Sequence, residues 1–300
     1  MYFKDISKAI GYTPLVELTK ISDSKKVRIL AKLEGQNPGG SASIKDRVAK
    51  YMLEKAERSG ELTKDKTIIE ATSGNTGIAL AWLGHQKGYR VTIVMPDSMS
   101  RERQQLLRIY GAELILTEGV YGVQKAVETA REMAARDERY YNPDQFSNPA
   151  NPLAHYETTA VEIMDDFPYD RVDALIAGIG TGGTIVGIGR RLREKFPGLP
   201  IIGVEPPPDD NIQGLKCVGE GNTPPILDLS LISERAKVTS QQAAAATREL
   251  LEKEGIFAGL SSGAVIHQAI KVAHDMDEGN IVVVLADGGW KYLSLDIWNA

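Results

Sequence analysis

The stretch IAGIGTGGTIVG, residues 176–187, connects a strand-like run to a helix-like run. Gly178, Gly180 and Gly183 match the G-x-G-x-x-G spacing of a dinucleotide-binding turn. Glu205 ends the next strand-like run, at the distance where that pattern has an acidic residue. Glycine-rich turns of this kind bind phosphate through the free N–H groups of a helix N-terminus. The stretch therefore predicts a phosphate site and leaves open which cofactor carries the phosphate.

Helix-like and strand-like segments alternate on both sides of this turn. β-branched strands that alternate with helices are typical of parallel sheets covered on both faces. A long loop is expected over 206–238. The pattern predicts the α/β class with two doubly wound sheets. The strands are expected at 27–34, 67–72, 90–96, 112–117, 172–178, 201–206 and 281–287, and helices at 45–60, 75–88 and 100–111.

Composition limits the possible functions. The 300 residues are 42% hydrophobic and 25% charged with a net charge of −5, so neither nucleic acid nor an anionic membrane is an expected partner. The one cysteine, Cys217, excludes a disulfide within the chain and a cysteine-based zinc site, and no metal is expected. The N-terminus does not resemble a signal peptide, and the longest apolar runs are too short to span a bilayer. We expect a soluble, cytoplasmic protein.

Two further loops at strand–helix junctions are rich in small polar residues. TSGNTG, residues 72–77, combines hydroxyls and the Asn75 amide with a helix start, which favours binding of a carboxylate. GLSSGA, residues 259–264, opens a helix, and Ser261 could equally be an ordinary helix cap. In the glycine-rich turn GTGGT, residues 180–184, Thr181 and Thr184 alternate with the glycines. Their hydroxyls suit a single phosphate monoester better than a pyrophosphate.

Lys45 follows the glycine- and serine-rich loop of NPGGSASIKDR, residues 37–47, and begins a predicted helix. A lysine at such a position is usually an ordinary surface residue. If it is buried, its neutral amine is favoured, as a lysine that forms a Schiff base requires. The lysine loop is thus a candidate site for a cofactor aldehyde.

Taken together, these elements resemble the cysteine synthase, or O-acetylserine sulfhydrylase, family. IGYTPLVEL at 10–18, QFSNPANP at 145–152 and ADGGWKYLSL at 286–295 extend the resemblance over nearly the whole chain, and the ending is similar to the B-type enzymes. The resemblance implies a fold type II pyridoxal 5′-phosphate (PLP) enzyme, similar to the tryptophan synthase β subunit. It also implies a large cofactor-binding domain of residues 1–42 and 150–300, and a smaller mobile substrate-binding domain of residues 43–149.

The resemblance implies a role for each motif. Lys45 would bind the cofactor aldehyde and act as general base, Asn75 would bind the ring oxygen, and Ser261 would face the pyridine nitrogen. The cofactor phosphate would be held by Gly180, Thr181, Gly182, Gly183 and Thr184. The substrate would be bound by Thr72, Ser73, Gly74, Asn75, Thr76 and Gln145.

The implied reaction is a β-replacement that makes L-cysteine from O-acetyl-L-serine or O-phospho-L-serine and either sulfide or thiosulfate. Lys216 would bind the phosphate of O-phosphoserine, or it is a solvent-facing loop residue. His155 is interpreted as structural. The loop before Lys45 is two residues longer than the family pattern, so it is expected to bulge, and either Ser41 or Ser43 corresponds to the family serine.

Alternatives remain within and outside the family. Cystathionine β-synthase chemistry would use homocysteine as the nucleophile, and an NAD-binding oxidoreductase would use the same glycine pattern for a dinucleotide. The expected partners are small molecules, a second copy of the chain in a homodimer, and serine acetyltransferase or a sulfur-carrier protein.

Overall fold

The computed structural model describes residues 2–72, 74–99, 101–219, 223–295 and 297–298. These residues form two compact units. The first comprises residues up to 10 together with 37–151, and the second comprises 11–36 together with the residues from 152 onward. The sequence-based boundaries placed the N-terminus and 37–42 with the larger domain instead. In the structure Ile10 belongs to the core of the first unit, and Gly40 packs against Trp82 of that unit.

The first unit contains a parallel sheet in the order β5-β4-β3-β6. β3 and β4 are almost completely buried because helices cover both of their faces. The strands are β3 (Thr67–Ala71), β4 (Arg90–Pro96), β5 (Glu113–Thr117) and β6 (Tyr140–Tyr141), and the helices are α1 (Lys45–Ser59), α2 (Asn75–Lys87), α3 (Arg101–Ile109) and α4 (Gly122–Arg136).

Each face of this sheet has its own hydrophobic cluster. Ile68 and Ile93 pack with Leu53 of α1 and Ile78 of α2, whereas Ile69 packs on the opposite side toward α4. This alternation follows from the two-residue period of a strand. α1 ends at Gly60, whose φ of 79° is the left-handed conformation that a glycine adopts without strain.

The second unit contains a mostly parallel sheet in the order β1-β2-β10-β7-β8-β9. Only the β1–β2 pair within the described residues of this sheet is antiparallel. The strands are β1 (Leu15–Leu18), β2 (Val27–Leu33), β7 (Ala174–Gly178), β8 (Ile201–Glu205), β9 (Glu234–Lys237) and β10 (Gly279–Leu285). The helices are α6 (Ala160–Asp166), α7 (Gly183–Lys195), α8 (Ser240–Glu254) and α9 (Leu260–Asp275), while α5 (Ala150–Ala154) contains the boundary between the units.

The two-sheet α/β class and the buried strands are confirmed, and the predicted bounds of these strands are off by at most two residues. The edge strands β1, β6 and β9 were missed. β9 reads ERAK and lies inside the predicted loop over 206–238, because an exposed edge strand needs no apolar run. A π-helical turn at His155–Thr159 was also not expected.

The described part of the chain contains no helix with the length and apolar character needed to cross a membrane.

Candidate active site

The GTGGT turn of the second unit connects β7 to α7. Gly182 is the N-cap residue with a φ of 87°, and it supplies no side chain to accept from the first turn of α7. Thr181 lies beside the turn, and its Oγ1 accepts a hydrogen bond of 3.3 Å from the N–H of Gly183. N–H groups at such a helix start lack partners within the helix and carry partial positive charge. The turn can therefore bind an anion.

The helices that follow the three motif loops share this feature. α2, α7 and α9 begin after the glycine N-caps Gly74, Gly182 and Gly259, and the structure shows no side-chain cap at any of them. α8, which follows no motif, has a complete capping box built by Thr239 and Gln242. Ligand groups can occupy the positions that capping side chains fill in α8.

Close packing is a second physical reason why the turn contains glycines. A Cβ atom on Gly180 would lie 2.6 Å from the carbonyl oxygen of Gly214, and one on Gly178 would overlap the side chain of Leu215. Residues 211–218, which we name the site loop, therefore pack directly on the turn. The N–H of Lys216 adds a 2.8 Å hydrogen bond to the carbonyl of Ile179.

Ser261 lies in the first turn of α9 and is buried. A Cβ atom built on Gly214 of the site loop would lie 3.6 Å from the Ser261 hydroxyl. The neighbouring Ser262 is also buried, and its hydroxyl has no hydrogen-bond partner among the described residues. The uncapped starts of α7 and α9, the close-packed glycines and this unpartnered hydroxyl fit a phosphate-bearing cofactor such as PLP.

Lys216 is half-buried, and desolvation lowers the pKa of its ammonium group. A cation in this setting lacks part of its hydration, so an anionic ligand would stabilise it. Its backbone N–H is bonded beside the turn, which fits either a phosphate-binding or a solvent-facing side chain.

His155, interpreted from the sequence as structural, lies beside the GTGGT turn. It is completely buried within the π-helical turn, with Nδ1 at 3.0 Å from Thr159 Oγ1 and Nε2 at 3.4 Å from Thr184 Oγ1. His155 therefore contacts Thr184, the last residue of the GTGGT turn. π-helical turns occur often at functional sites, and the i,i+4 pair in HYETT was the available sequence signal.

The dinucleotide interpretation of this turn required Glu205 to face a ribose. The carboxylate is instead completely buried and accepts a 2.8 Å hydrogen bond from the N–H of Val218. It is engaged with the site loop and does not face a ligand. The match to the dinucleotide spacing reflects the shared physics of a helix start.

In the first unit, Lys45 is the first residue of α1 and is half-buried. Its N–H donates to Ser43 Oγ at 3.2 Å. The buried carboxylate of Asp46 accepts from the backbone N–H groups of Ser41 and Ser43 at 3.0 and 3.1 Å. The loop before the lysine is thus fixed by the helix that the lysine begins.

The expected bulge in this loop is present. Ala42 adopts a φ of 41°, and its N–H donates to the carbonyl of Gly39 at 3.1 Å. Ser41 and Ser43 are both buried, with their hydroxyl oxygens 2.7 Å apart. Because the two serines share one network, the structure does not single out either as the family serine.

The TSGNTG loop of the same unit brings most of the predicted substrate residues together. Thr72 Oγ1 accepts from the N–H of Gly74 at 3.0 Å, and Asn75 begins α2. Thr76 donates a 2.6 Å hydrogen bond to Gln145 Oε1, and Gln145 Nε2 donates to the carbonyl of Ala71 at 3.3 Å. Gln145 is therefore held against this loop. Ser73 lies outside the described residues.

Glu70 supports this arrangement and was not found from the sequence. It is buried on β3, and its carboxylate accepts from the N–H groups of Ala71 and Gln145 at 3.0 and 3.2 Å. Desolvation raises the pKa of Glu70 to about 8, although these hydrogen bonds act in the opposite direction. Within the described ranges, no group of three or more His, Cys, Asp or Glu residues could hold a metal ion.

Comparisons with known proteins show the family to which this chain belongs. The family model described as "Pyridoxal-phosphate dependent enzyme" matches residues 6–287. A cysteine synthase of Staphylococcus aureus (strain N315) is 41% identical and covers 98% of this chain and 97% of its own length. A solved O-ureido-L-serine synthase is 37% identical with a TM-score of 0.93, covering 100% of this chain and 96% of its own. A solved cysteine synthase of Entamoeba histolytica is 38% identical with a TM-score of 0.92, covering 100% and 92%.

Proposed function

This chain belongs to the pyridoxal-phosphate dependent enzyme family, and we propose that it is a cysteine synthase that converts O-acetyl-L-serine and sulfide to L-cysteine and acetate. The observation that carries this proposal is the presence, in one chain, of Lys45 at a helix start and three glycine-capped helices that follow the motif loops. Full-length similarity to cysteine synthases supports the same activity.

Bound through Lys45, the cofactor supplies an electron sink for loss of the substrate Cα proton and departure of the Cβ substituent. Lys45 holds the cofactor aldehyde and, once released, moves the Cα proton as general base and later as general acid. The turn of residues 180–184 holds the phosphate, and His155 orients Thr184 within it. Asn75 binds the ring oxygen.

Substrate binding is assigned to the TSGNTG loop and Gln145. The helix start after Gly74 provides N–H groups for the amino-acid carboxylate. Thr76 and Gln145 are already hydrogen-bonded to each other, so the carboxylate meets a preorganised pair. Ser261 is assigned to the pyridine nitrogen, where a neutral hydroxyl does not hold a proton as a carboxylate would. A weaker electron sink favours loss of the Cβ group over transamination.

O-phospho-L-serine is the alternative ester because Lys216, whose backbone is bonded to Ile179 beside the GTGGT turn, has a partly desolvated ammonium group. Thiosulfate is the alternative sulfur donor. Homocysteine, as used by cystathionine β-synthases, is the alternative nucleophile, and the site gives no observation that favours it over sulfide.

We also propose that the enzyme is a cytoplasmic homodimer with a larger cofactor domain and a smaller mobile substrate domain. Serine acetyltransferase or a sulfur-carrier protein is its proposed protein partner. The support is the resemblance of the motifs, and measurement of the molecular mass in solution with and without each partner tests these proposals.

The experiment for substrate choice uses the purified holoenzyme with each ester and each sulfur nucleophile, and products are identified by mass spectrometry. We expect cysteine from O-acetyl-L-serine and sulfide at the highest rate. Faster turnover of O-phospho-L-serine that is lost in Lys216→Met would reassign the ester. Cystathionine as the main product from competing sulfide and homocysteine would contradict the proposed activity.

A further inference from the structure

Glu205 has no task in the proposed reaction, although the sequence singles it out. It ends β8, and its side chain is completely buried. A buried carboxylate is costly unless hydrogen bonds and opposite charges compensate it. Its Oε2 accepts the 2.8 Å hydrogen bond from the N–H of Val218.

Arg235 of the adjacent strand β9 completes the arrangement. Its Nη1 donates a 3.0 Å hydrogen bond to the carbonyl of Val218 and lies 3.7 Å from Glu205 Oε1. Both backbone polar groups of Val218 are therefore bound by a pair of opposite charges. We name this arrangement of Glu205, Arg235 and Val218 the Val218 clamp.

The clamp holds the C-terminal end of the site loop. Closer to the turn, Lys216 is bonded to the carbonyl of Ile179, Leu215 packs on Gly178, and the carbonyl of Gly214 packs on Gly180. Residues 214–216 thus contact residues 178–180, which lead into the GTGGT turn. If the end of the site loop were released, these contacts would lose the anchor that keeps them in register with the turn.

We propose that Glu205 and Arg235 are positioning residues that hold the site loop on residues 180–184 and thereby set the affinity of this turn for the cofactor phosphate. The inference rests on the proposed function, because it requires PLP to bind at this turn. It predicts an effect that depends on the phosphate group, since the clamp reaches the phosphate turn through the site loop.

The test compares Arg235→Met with Lys237→Met. Lys237 lies on the same strand, has its Nζ at 4.0 Å from the same Glu205 oxygen and is exposed to a similar degree, 47% against 41% for Arg235. The hydrogen bond to the Val218 carbonyl comes from Arg235. The control variant therefore removes a positive charge from the neighbourhood of Glu205, as Arg235→Met does, and leaves the clamp on Val218 in place.

Apoprotein of each variant is titrated with PLP and with pyridoxal, which lacks the phosphate. We expect Arg235→Met to weaken PLP binding about threefold to tenfold, the effect of one net hydrogen bond, and pyridoxal binding by less than about twofold. Lys237→Met should change neither, and Arg235→Lys should recover part of the PLP affinity. Amide hydrogen exchange at Val218 should accelerate in Arg235→Met alone.

Equal losses for PLP and pyridoxal, or an Arg235→Met variant that matches Lys237→Met, would overturn the inference while leaving the proposed function intact. A wild-type protein that binds no PLP would overturn both. Because the Arg235 side chain is partly exposed, its variant tests the clamp even if Glu205→Ala fails to fold.

Discussion

At the scale of single residues, Glu70 is the buried ionisable group whose titration is easiest to follow. Its pKa is about 8 in the folded protein against an ordinary value of 4.5, because burial disfavours the charged form. Between these pH values the unfolded chain has lost the proton that the folded protein retains. Stability therefore falls as the pH rises, by about 1.4 kcal/mol per pH unit from this group.

We predict that Glu70→Gln removes this contribution. The difference in the free energy of unfolding between variant and wild type should shift in favour of the variant by a few kcal/mol from about pH 5 to about pH 8. Urea unfolding at several pH values measures it. A difference that stays constant over this range would show that Glu70 is ionised in the folded protein.

Glu57→Gln is the matched control in the same unit. Burial acts to raise the pKa of Glu57, but hydrogen bonds from Lys87 and Tyr89 hold it below its ordinary value. The contribution of Glu57 is therefore present above the ordinary pKa and is lost as the pH falls. Its removal should leave the stability difference flat from pH 5 to pH 8.

Ser261 is the residue on which reaction specificity depends in this account. We predict that Ser261→Asp lowers the turnover number for cysteine formation by at least about tenfold, because a carboxylate would keep the pyridine nitrogen protonated. Steady-state kinetics measure it. Ser261→Ala separates the added charge from the lost hydroxyl and should be milder. An aspartate variant as active as wild type would remove the proposed role.

At the scale of secondary-structure elements, the start of α7 combines backbone strain with close packing. In Gly182→Ala the new side chain would occupy a φ of 87° and meet the Cβ atom of Leu227 at 2.8 Å. The left-handed conformation costs a residue other than glycine about 1–2 kcal/mol. We predict weaker PLP binding and lower stability, measured by cofactor titration and urea unfolding.

Gly198→Ala supplies the control for this prediction. Gly198 follows the same helix with a φ of 77°, and a Cβ atom there would meet nothing within 4 Å. This variant should lose stability through strain alone and keep its PLP affinity. If both variants lose the cofactor equally, the start of α7 is not the phosphate site.

For the capped helix α8, we expect a change at its start to lower stability without weakening PLP binding. Thr239→Ala removes the side chain that accepts from Gln242 N–H, which should lower the free energy of unfolding by about 1 kcal/mol. PLP affinity and the KM for O-acetyl-L-serine should not change, because α8 follows no motif loop. Cofactor titration of this variant therefore separates helix capping for stability from helix starts reserved for ligands. Loss of PLP binding here would contradict that distinction.

At the scale of the whole molecule, the α/β class and the buried strands could be predicted because runs of β-branched residues are typical of strands that are buried on both faces. The three motif loops could be placed before helices α2, α7 and α9 because glycine and small polar residues mark such turns. β1 and β6 were missed because they have only four and two residues, and β9 was missed because it reads ERAK and has no apolar run, whereas the edge strand β5 has one and was found. Glu70 and the Val218 clamp depend on contacts between residues distant in sequence, which periodicity does not encode.

Glu205 shows most clearly that motif spacing alone does not predict what a side chain contacts. Its spacing from the glycine turn fits a dinucleotide fingerprint, yet its carboxylate lies in the interior and binds Val218. The domain boundaries show the same limit, because the N-terminal residues pack with the first unit although the sequence contains no marker for it. Motif spacing identified the elements, and packing decided what each side chain does.

In the proposed activity, Lys45 carries PLP for β-replacement. The most direct test is the visible absorption spectrum of the purified protein, before and after borohydride reduction and after addition of O-acetyl-L-serine, in wild type and in Lys45→Ala. We predict a yellow wild-type protein whose band is lost on reduction and changes with the ester, and a Lys45→Ala protein without the reducible linkage to the chain. A protein that stays colourless after addition of PLP, or a Lys45→Ala variant that still forms the reducible linkage, would contradict the account.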